Sequence, residues 1–195
     1  MGKVESLEKI SEEIKICKKC PLHINRLKTV PGDGDINCDI MFLGEAPGLL
    51  ESQQGKPFVG RSGRLLNAWI NKELGLRRKN VYMTNIVKCR PPNNRDPKPE
   101  EIRACRSFLD KQIKIVQPKV IITLGRIATI CLLFNPDFKI TKEHGVWGKY
   151  NGIDVMPIYH PSFLLRGMSE KKKKEVKGDF KKVLDFLNGD RKVKV

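Results

Sequence analysis

The hydrophobic and polar residues of this chain follow two periods, one typical of buried strands and the other typical of amphipathic helices. Short apolar runs bounded by turn residues predict strands at residues 39–43, 80–87, 119–124 and 153–159. Apolar residues at helical spacing predict helices at residues 6–16, 61–74, 99–116, 127–134 and 170–187. Because the strands alternate with helices, we expect an α/β fold with a central four-stranded parallel sheet flanked by helices.

A polar residue or a glycine follows each predicted strand, where the chain turns away from the sheet. In chain order these residues are Glu45, Asn85, Gly125 and His160. Each polar one has an ordinary explanation, since a Glu is commonly solvated, an Asn commonly forms a turn and a lone His is commonly structural. In open α/β sheets, however, ligands bind beyond the carboxyl ends of the strands, so several such residues at one rim favour a binding site.

Two predicted loops carry apolar residues with either a packing or a binding interpretation. Phe58 lies in a polar, glycine-rich segment, so its ring either fills the core or offers a face to a planar ligand. Leu164 and Leu165 lie beside Arg166 in the loop after the last predicted strand, and we expect an apolar tip flanked by charge. Such a tip is suited to insertion between stacked bases.

The cysteines suggest a metal centre. They occur at positions 17, 20, 38, 89, 105 and 131. Residues 1–15 are charged and carry no secretory signal, so we expect a reducing compartment, where metal binding is favoured over disulfides. Cys17 and Cys20 form a Cys-x-x-Cys pair, but Cys89 and Cys105 are separated by fifteen residues, unlike the second knuckle of a zinc ribbon. Four thiolates on an iron–sulfur cluster fit better, while zinc stays open as an alternative.

The charge of the chain indicates the class of its partner. The 195 residues include 38 Lys and Arg against 22 Asp and Glu, a formal net charge of +16, and we expect one domain spanning 1–195. Such an excess favours a polyanionic partner, with a generally solvated basic surface as the plain alternative. Nucleic acid is favoured over a membrane, because no apolar run approaches the length of a spanning helix. The many charges and few Gln residues hint at a thermophilic source.

The loop motifs, taken together, resemble the family-4 uracil-DNA glycosylases, which are archaeal or bacterial repair enzymes. The motifs are Gly-Glu-Ala-Pro-Gly (44–48), Gly-Lys-Pro-Phe-Val-Gly (55–60), Thr-Asn-Ile-Val-Lys-Cys-Arg-Pro-Pro (84–92), Leu-Gly-Arg (124–126) and His-Pro-Ser-Phe-Leu-Leu-Arg (160–166). The resemblance runs from residue 17 to about residue 167. It implies the three-layer uracil-DNA-glycosylase fold and a cytoplasmic, nucleoid-associated prokaryotic enzyme.

The resemblance implies a role for each site residue. It places a [4Fe-4S] cluster on Cys17, Cys20, Cys89 and Cys105, where it would link the N-terminal helix, the 89–99 loop and the helix that carries Cys105. It implies a uracil pocket formed by Glu45, Ala46, Glu51, Phe58, Asn85 and His160. In this pocket Phe58 would stack on the base, Asn85 would hydrogen-bond its edge and Glu51 would crowd C5 and exclude thymine. The DNA-contacting residues would be Arg61, Arg90, Ser162, Leu164, Leu165 and Arg166.

The mechanism expected from this resemblance is hydrolysis of the glycosidic bond of an extruded uracil, which releases free uracil and leaves an abasic site. His160 would donate to uracil O2 and stabilise the departing anion, an effect typically worth about 3–4 kcal/mol. Glu45 would position the water or support the sugar cation. The partner is uracil-containing DNA, single- or double-stranded, with a sliding clamp as a further candidate, and we expect a monomer.

Some features depart from related patterns, and they leave alternatives open. Ser52 stands where many relatives carry a second acidic residue, and Ala46 stands where the best-known branch carries a water-activating Asp. The segment 90–99 lacks the Arg-rich insertion of a branch with a covalent His nucleophile. The rival functions are a glycosylase for another base such as hypoxanthine, a non-catalytic iron–sulfur DNA-binding module or redox sensor, and a zinc-binding structural protein.

Overall fold

The protein is described by a computed structural model over residues 2–165, 167 and 169–189. The helices are α1 Lys3–Lys15, α2 Leu49–Gln54, α3 Arg61–Leu74, α4 Pro99–Val116, α5 Arg126–Leu133, α6 Ile140–Glu143, α7 Pro161–Leu165 and α8 Glu170–Leu187. The strands are β1 Asp33–Gly34, β2 Ile40–Gly44, β3 Tyr82–Asn85, β4 Val120–Leu124, β5 Gly148–Tyr150 and β6 Ile153–Ile158. Arg166, a predicted DNA-contacting residue, lies outside the described residues.

The strands form one mixed sheet in the order β1-β3-β2-β4-β6-β5. The four central strands β3, β2, β4 and β6 are parallel, which confirms the predicted parallel sheet. Two short antiparallel strands extend it, because β1 pairs with β3 and β5 pairs with β6. With two and three residues, these edge strands are too short to give a periodic sequence signal. A tight turn at Asn151 and Gly152, both at positive φ, joins β5 to β6.

The sheet separates two hydrophobic clusters, so the molecule has three layers. Alternate residues of β2 face opposite sides: Met41 and Leu43 pack with α1 and α4, whereas Ile40 and Phe42 pack with α3 and α8. Because both faces are covered, every residue of β2 and β4 is buried. Trp69 on α3 belongs to the second cluster.

The helices α3, α4 and α8 have the predicted bounds, whereas α1 begins three residues before the predicted start at residue 6 and ends at Lys15. The helix α3 ends at Gly75, which adopts the left-handed conformation, and α4 begins with Pro99. The short helices α2 and α7 occupy segments that the sequence predicts as loops. The formation of α7 changes the predicted apolar tip, because this helix turns one of the two leucines of the tip toward the core.

Candidate active site at the carboxyl edge of the sheet

A cavity of about 720 Å³ opens at the carboxyl edge of the parallel strands. The residues predicted to form one pocket all line it: Glu45, Ala46, Glu51, Phe58, Asn85 and His160. They come from the ends of β2, β3 and β6 and from the segment between β2 and α3. The fold therefore brings together side chains that lie more than a hundred residues apart in the sequence.

Gly44, the last residue of β2, leaves the space in which two of these side chains meet. A Cβ atom built at this position would overlap the Oδ1 atom of Asn85 and would lie 2.6 Å from Cζ of Phe58. Asn85 is 2% exposed, although its side chain faces the cavity. The absent side chain therefore allows a hydrogen-bonding amide and an aromatic ring to adjoin at the base of the cavity.

The backbone around Phe58 is held from outside the cavity. Phe58 has a φ of +53°, a conformation that non-glycine residues rarely adopt. The guanidinium of Arg78 donates to the carbonyl oxygens of Phe58 at 3.1 Å and Pro57 at 2.6 Å, and it is paired with Asp33 at 3.0 Å. Gly63 supports the same loop, since a Cβ there would overlap the Phe58 carbonyl. Sequence analysis did not single out Arg78.

Glu51 holds the other side of the same loop. Its Oε1 atom accepts from the backbone N–H groups of Val59 at 2.9 Å and Gly60 at 2.8 Å. Gly60 is the N-cap of α3, so the carboxylate also lies at a favourable helix terminus. Glu51 therefore lines the cavity as a bound carboxylate that fixes the Phe58 loop, in addition to any contact with a base. Ser52, its neighbour, is 1% exposed and packs into the interior.

His160 is oriented by Ser162 and Gly125. The backbone N–H of Ser162 donates to Nδ1 of His160 at 3.1 Å, and the Ser162 hydroxyl lies 2.7 Å from the same nitrogen. Because Nδ1 accepts a backbone N–H, we assign the proton of the neutral ring to Nε2. Gly125 adopts a φ of +85°, and a Cβ on it would lie 2.9 Å from Cβ of His160. The glycine is thus needed for the imidazole to approach β4 this closely.

Glu45 directly follows β2, in a half-buried position that shifts its pKa. Burial, aided by the negative charge of Asp96, raises the pKa of Glu45 to about 7, and Arg126 opposes the rise. Both neighbours also line the cavity. A carboxyl group with a pKa near neutrality is suited to general acid–base chemistry. Sequence analysis predicted Glu45 but missed Asp96, whose loop carries no periodic signal.

Of the predicted DNA-contacting residues, Arg61 and Ser162 line the cavity, and several residues that were not predicted line it as well. Arg61 is exposed at the cavity, and Arg90 donates to Oδ1 of Asn94 at 2.7 Å. The expectation that Leu164 forms the apolar tip is wrong: it is 1% exposed, because α7 packs it into the cluster with α3 and α8. Leu165 is 40% exposed and remains available. Exposed apolar residues that sequence analysis missed at this rim are Leu49, Leu50 and Phe163.

A second, much smaller cavity of about 20 Å³ is lined by all four predicted ligand cysteines, Cys17, Cys20, Cys89 and Cys105. Arg26 stabilises this region, because it donates to the Cys17 carbonyl at 2.6 Å and to the Cys89 sulfur at 3.5 Å. The other two cysteines lie elsewhere, since the Cys38 thiol donates to the Ile40 carbonyl and Cys131 lies on α5.

The donor set of this cysteine cavity fits a bound cluster. Burial raises the pKa of Cys20 and Cys89, and it raises that of Cys105 to about 11, so a metal would be needed to hold these groups as thiolates. Within the described part of the chain, no three His, Cys, Asp or Glu side chains are close enough to hold a single metal ion. Four thiols around one cavity form a donor set that suits either an iron–sulfur cluster or zinc.

Comparison with known proteins agrees with this geometry. Residues 31–184 match the model of the uracil-DNA glycosylase superfamily. The chain is similar to the type-4 uracil-DNA glycosylase of Sulfurisphaera tokodaii, with 49% identity covering 94% of this chain and 86% of that protein. It is 45% identical to the type-4 uracil-DNA glycosylase of Thermotoga maritima, covering 94% and 95%. It is 30% identical to a type-5 uracil-DNA glycosylase of Pyrobaculum aerophilum, covering 69% and 66%.

None of the helices in the described ranges is both long enough and apolar enough to cross a membrane.

The similarity to type-4 proteins is higher and extends over more of the chain than the similarity to the type-5 protein. The chain therefore belongs to the uracil-DNA glycosylase superfamily, in its type-4 branch.

Proposed function

We propose that this chain is a uracil-DNA glycosylase, acting as one domain over residues 1–195. It extrudes a uracil nucleotide from DNA, hydrolyses the glycosidic bond, and releases free uracil from an abasic site. The observation that carries the proposal is the meeting of Glu45, Phe58, Asn85 and His160 in one cavity. A carboxyl, an aromatic ring, an amide and an imidazole are the groups that binding and cleaving a pyrimidine nucleotide require.

His160 stabilises the departing base. As the glycosidic bond lengthens, the sugar becomes cationic and uracil takes up negative charge on its oxygen atoms. The neutral imidazole, with Nδ1 accepting from the Ser162 backbone, presents the Nε2 proton to O2 of uracil. A preorganised donor of this kind typically contributes about 3–4 kcal/mol to the transition state. Ser162 therefore acts first on the histidine, and its contact with DNA is a second role.

Glu45 positions the attacking water and supports the sugar cation. Burial raises the pKa of Glu45 to about 7, so the carboxylate, which is the form that accepts a proton, becomes available near neutral pH. The type-4 pattern has Ala46 at the next position, so Glu45 is the carboxyl group of this segment that is available for the task.

Base selection depends on shape and hydrogen bonding at the bottom of the cavity. The amide of Asn85 pairs with the edge of uracil, and the ring of Phe58 stacks on its face. Glu51 supports this discrimination through the backbone of residues 59 and 60, which it holds with two hydrogen bonds, and it narrows the space at C5. A thymine methyl group would meet this closed side of the pocket.

The DNA is held by the basic rim and opened by an apolar side chain. Arg61, Arg90 and Arg166 neutralise phosphates, which agrees with the net charge of +16. Leu165, rather than the buried Leu164, fills the gap left by the extruded nucleotide, at an unstacking cost of a few kcal/mol. The enzyme acts as a monomer in the prokaryotic cytoplasm, on single- or double-stranded DNA, and a sliding clamp is a candidate partner.

A [4Fe-4S] cluster is the proposed resident of the cysteine cavity, held by Cys17, Cys20, Cys89 and Cys105. It would join three segments: the end of α1, the loop that begins at Cys89, and α4. The cluster is structural, because hydrolysis of a glycosidic bond transfers no electron. Its other task is to fix the 89–99 loop, which reaches the rim of the base cavity through Asn94, Arg95 and Asp96.

The test is an excision assay on oligonucleotides that carry a single uracil, thymine, hypoxanthine or ethenocytosine. We expect release of uracil alone, with severe loss of excision in Asn85→Ala and His160→Ala while DNA binding is retained. Asn71→Ala, an exposed change on α3, is the matched control and should match the unmodified chain. Activity on hypoxanthine without activity on uracil would overturn the assignment of substrate. Full activity in both site variants would overturn the assignment of the site.

A further inference from the structure

Lys88 is a buried ammonium group between the base cavity and the cysteine cavity. Its side chain is among the largest that are fully buried, with 1% of the residue exposed. Its Nζ atom donates to Thr84 Oγ1, to the backbone oxygen of Asn85 and to Gln112 Oε1, each at 2.7 Å. All three donors of the ammonium thus have acceptors, one of them the carbonyl of a residue that lines the base cavity.

These hydrogen bonds satisfy the donors of Lys88 but do not neutralise its charge. All three acceptors are uncharged oxygen atoms, and a buried charge is costly unless an opposite charge compensates it. Lys88 also lines the cysteine cavity, so its ammonium group lies between the two sites.

The partners of Lys88 are themselves fixed, so the ammonium has a defined position. Gln112 on α4 donates through Nε2 to the carbonyl of Pro31 at 2.7 Å, and the Thr84 hydroxyl donates to the same carbonyl at 2.8 Å. Asn85 is the last residue of β3 and pairs with Gly44 of β2. A lysine held by α4 and β3 thereby holds the carbonyl of the residue whose amide enters the pocket.

We propose that Lys88 is a positioning residue of the base cavity: it fixes the backbone of Asn85 from the side of the molecule that carries the cysteine cavity. The effect on uracil affinity rests on the proposed function. The effect on hydrogen exchange near Asn85 rests on the geometry alone. Lys88 itself contacts neither a base nor the scissile bond. It acts through the backbone carbonyl of Asn85.

The test compares Lys88→Met with Lys19→Met in protein of equal iron content. Both lysines line the cysteine cavity, but Lys19 is exposed and its Nζ lies over the Phe108 ring, away from Asn85. We expect Lys88→Met to lose about 100-fold in affinity for free uracil, measured by calorimetry, because small displacements of a positioning group have effects of this size. Lys19→Met should bind uracil as the unmodified chain does.

The second readout is hydrogen exchange of the peptide that covers residues 82–89, which needs no uracil. Faster exchange is expected there in Lys88→Met and not in Lys19→Met. Unchanged affinity and exchange in Lys88→Met would overturn the inference, as would equal effects of the two lysine changes. If the unmodified chain does not act on uracil while the exchange difference persists, the proposed function fails and the positioning role stands.

A milder pair of variants decides the matter if Lys88→Met does not fold. Thr84→Val removes one acceptor of the ammonium and keeps the shape of the side chain, whereas Thr84→Ser retains the hydroxyl. We expect about a fivefold loss of uracil affinity in Thr84→Val, the size of one hydrogen bond, and near-normal affinity in Thr84→Ser. Equal affinity in the two variants would contradict a role for this network.

Discussion

The base cavity and the cysteine cavity are built in opposite ways, although Asn85 and Cys89 are four positions apart. The base cavity, of about 720 Å³, is open and lined by charged, amide and aromatic side chains. The cysteine cavity, of about 20 Å³, is small and lined by four thiols, by apolar residues such as Ile14 and Phe108, and by basic side chains such as Lys88. The first suits a ligand that enters and leaves, and the second suits a resident group. Changes in one should therefore affect chemistry, and changes in the other should affect stability.

The largest loss of stability is expected from Cys105→Ser, which removes one ligand of the proposed cluster that links three segments of the chain. Binding energy of a structural metal centre is folding energy, so the loss should exceed several kcal/mol and appear as loss of iron and a strongly lowered melting temperature. Cys131→Ser, on α5 and away from the cavity, is the control and should keep both. Equal melting temperatures for the two variants would contradict a structural role for the cysteine cavity.

The next largest effect is expected from His160→Ala, in the base cavity. Loss of the donor to O2 should raise the activation free energy of excision by about 3–4 kcal/mol. The single-turnover rate should therefore fall about 10²–10³-fold, with an unchanged melting temperature. Ser162→Ala removes the hydroxyl but keeps the backbone N–H that selects the tautomer, so its loss should be smaller. A lowered melting temperature together with the loss of activity in His160→Ala would contradict the proposed difference between the two cavities.

An intermediate effect is expected from Arg78→Lys, which keeps the charge but not the planar fork that reaches two carbonyl oxygens. Phe58 should relax from its left-handed conformation. The affinity for free uracil should then fall about tenfold, which is a loss of about 1.4 kcal/mol in binding free energy. Arg77→Lys, at an exposed neighbouring position, is the control. Calorimetry with uracil measures both, and equal affinities would show that Phe58 keeps its position without the guanidinium.

The smallest effect is expected in the pH dependence controlled by Glu45. Burial raises the pKa of Glu45 to about 7, so the excision rate should rise with pH through about 7 as the carboxylate forms. The same shift has the opposite sign for stability: the folded chain keeps a proton that the unfolded chain loses, so stability falls as pH rises from about 4.5 to 7. Glu45→Gln should flatten both profiles, and an unchanged rate profile would exclude Glu45 as the titrating group.

Most of the fold could be predicted from the sequence because its signals are local. The bounds of α3, with Gly75 as its left-handed end, follow from residues within the helix and its caps. The four parallel strands follow from compact apolar runs, and their carboxyl ends predict which polar residues share a rim. The edge strands β1 and β5 lacked such a signal because their pairing depends on a neighbouring strand already being in place.

The sequence by itself indicated that Glu45, Asn85 and His160 follow parallel strands, and its motifs, through their resemblance to a known family, indicated the rest of the pocket and the four cysteines. Only the tertiary structure decided how they are held. Arg78 holds the Phe58 loop by a hydrogen bond, although the two residues are twenty positions apart in the sequence. Burial, with the charge of Asp96, raises the pKa of Glu45. Packing against α3 buries Leu164. These properties depend on burial and on contacts between distant segments, and neither exists until the chain has folded.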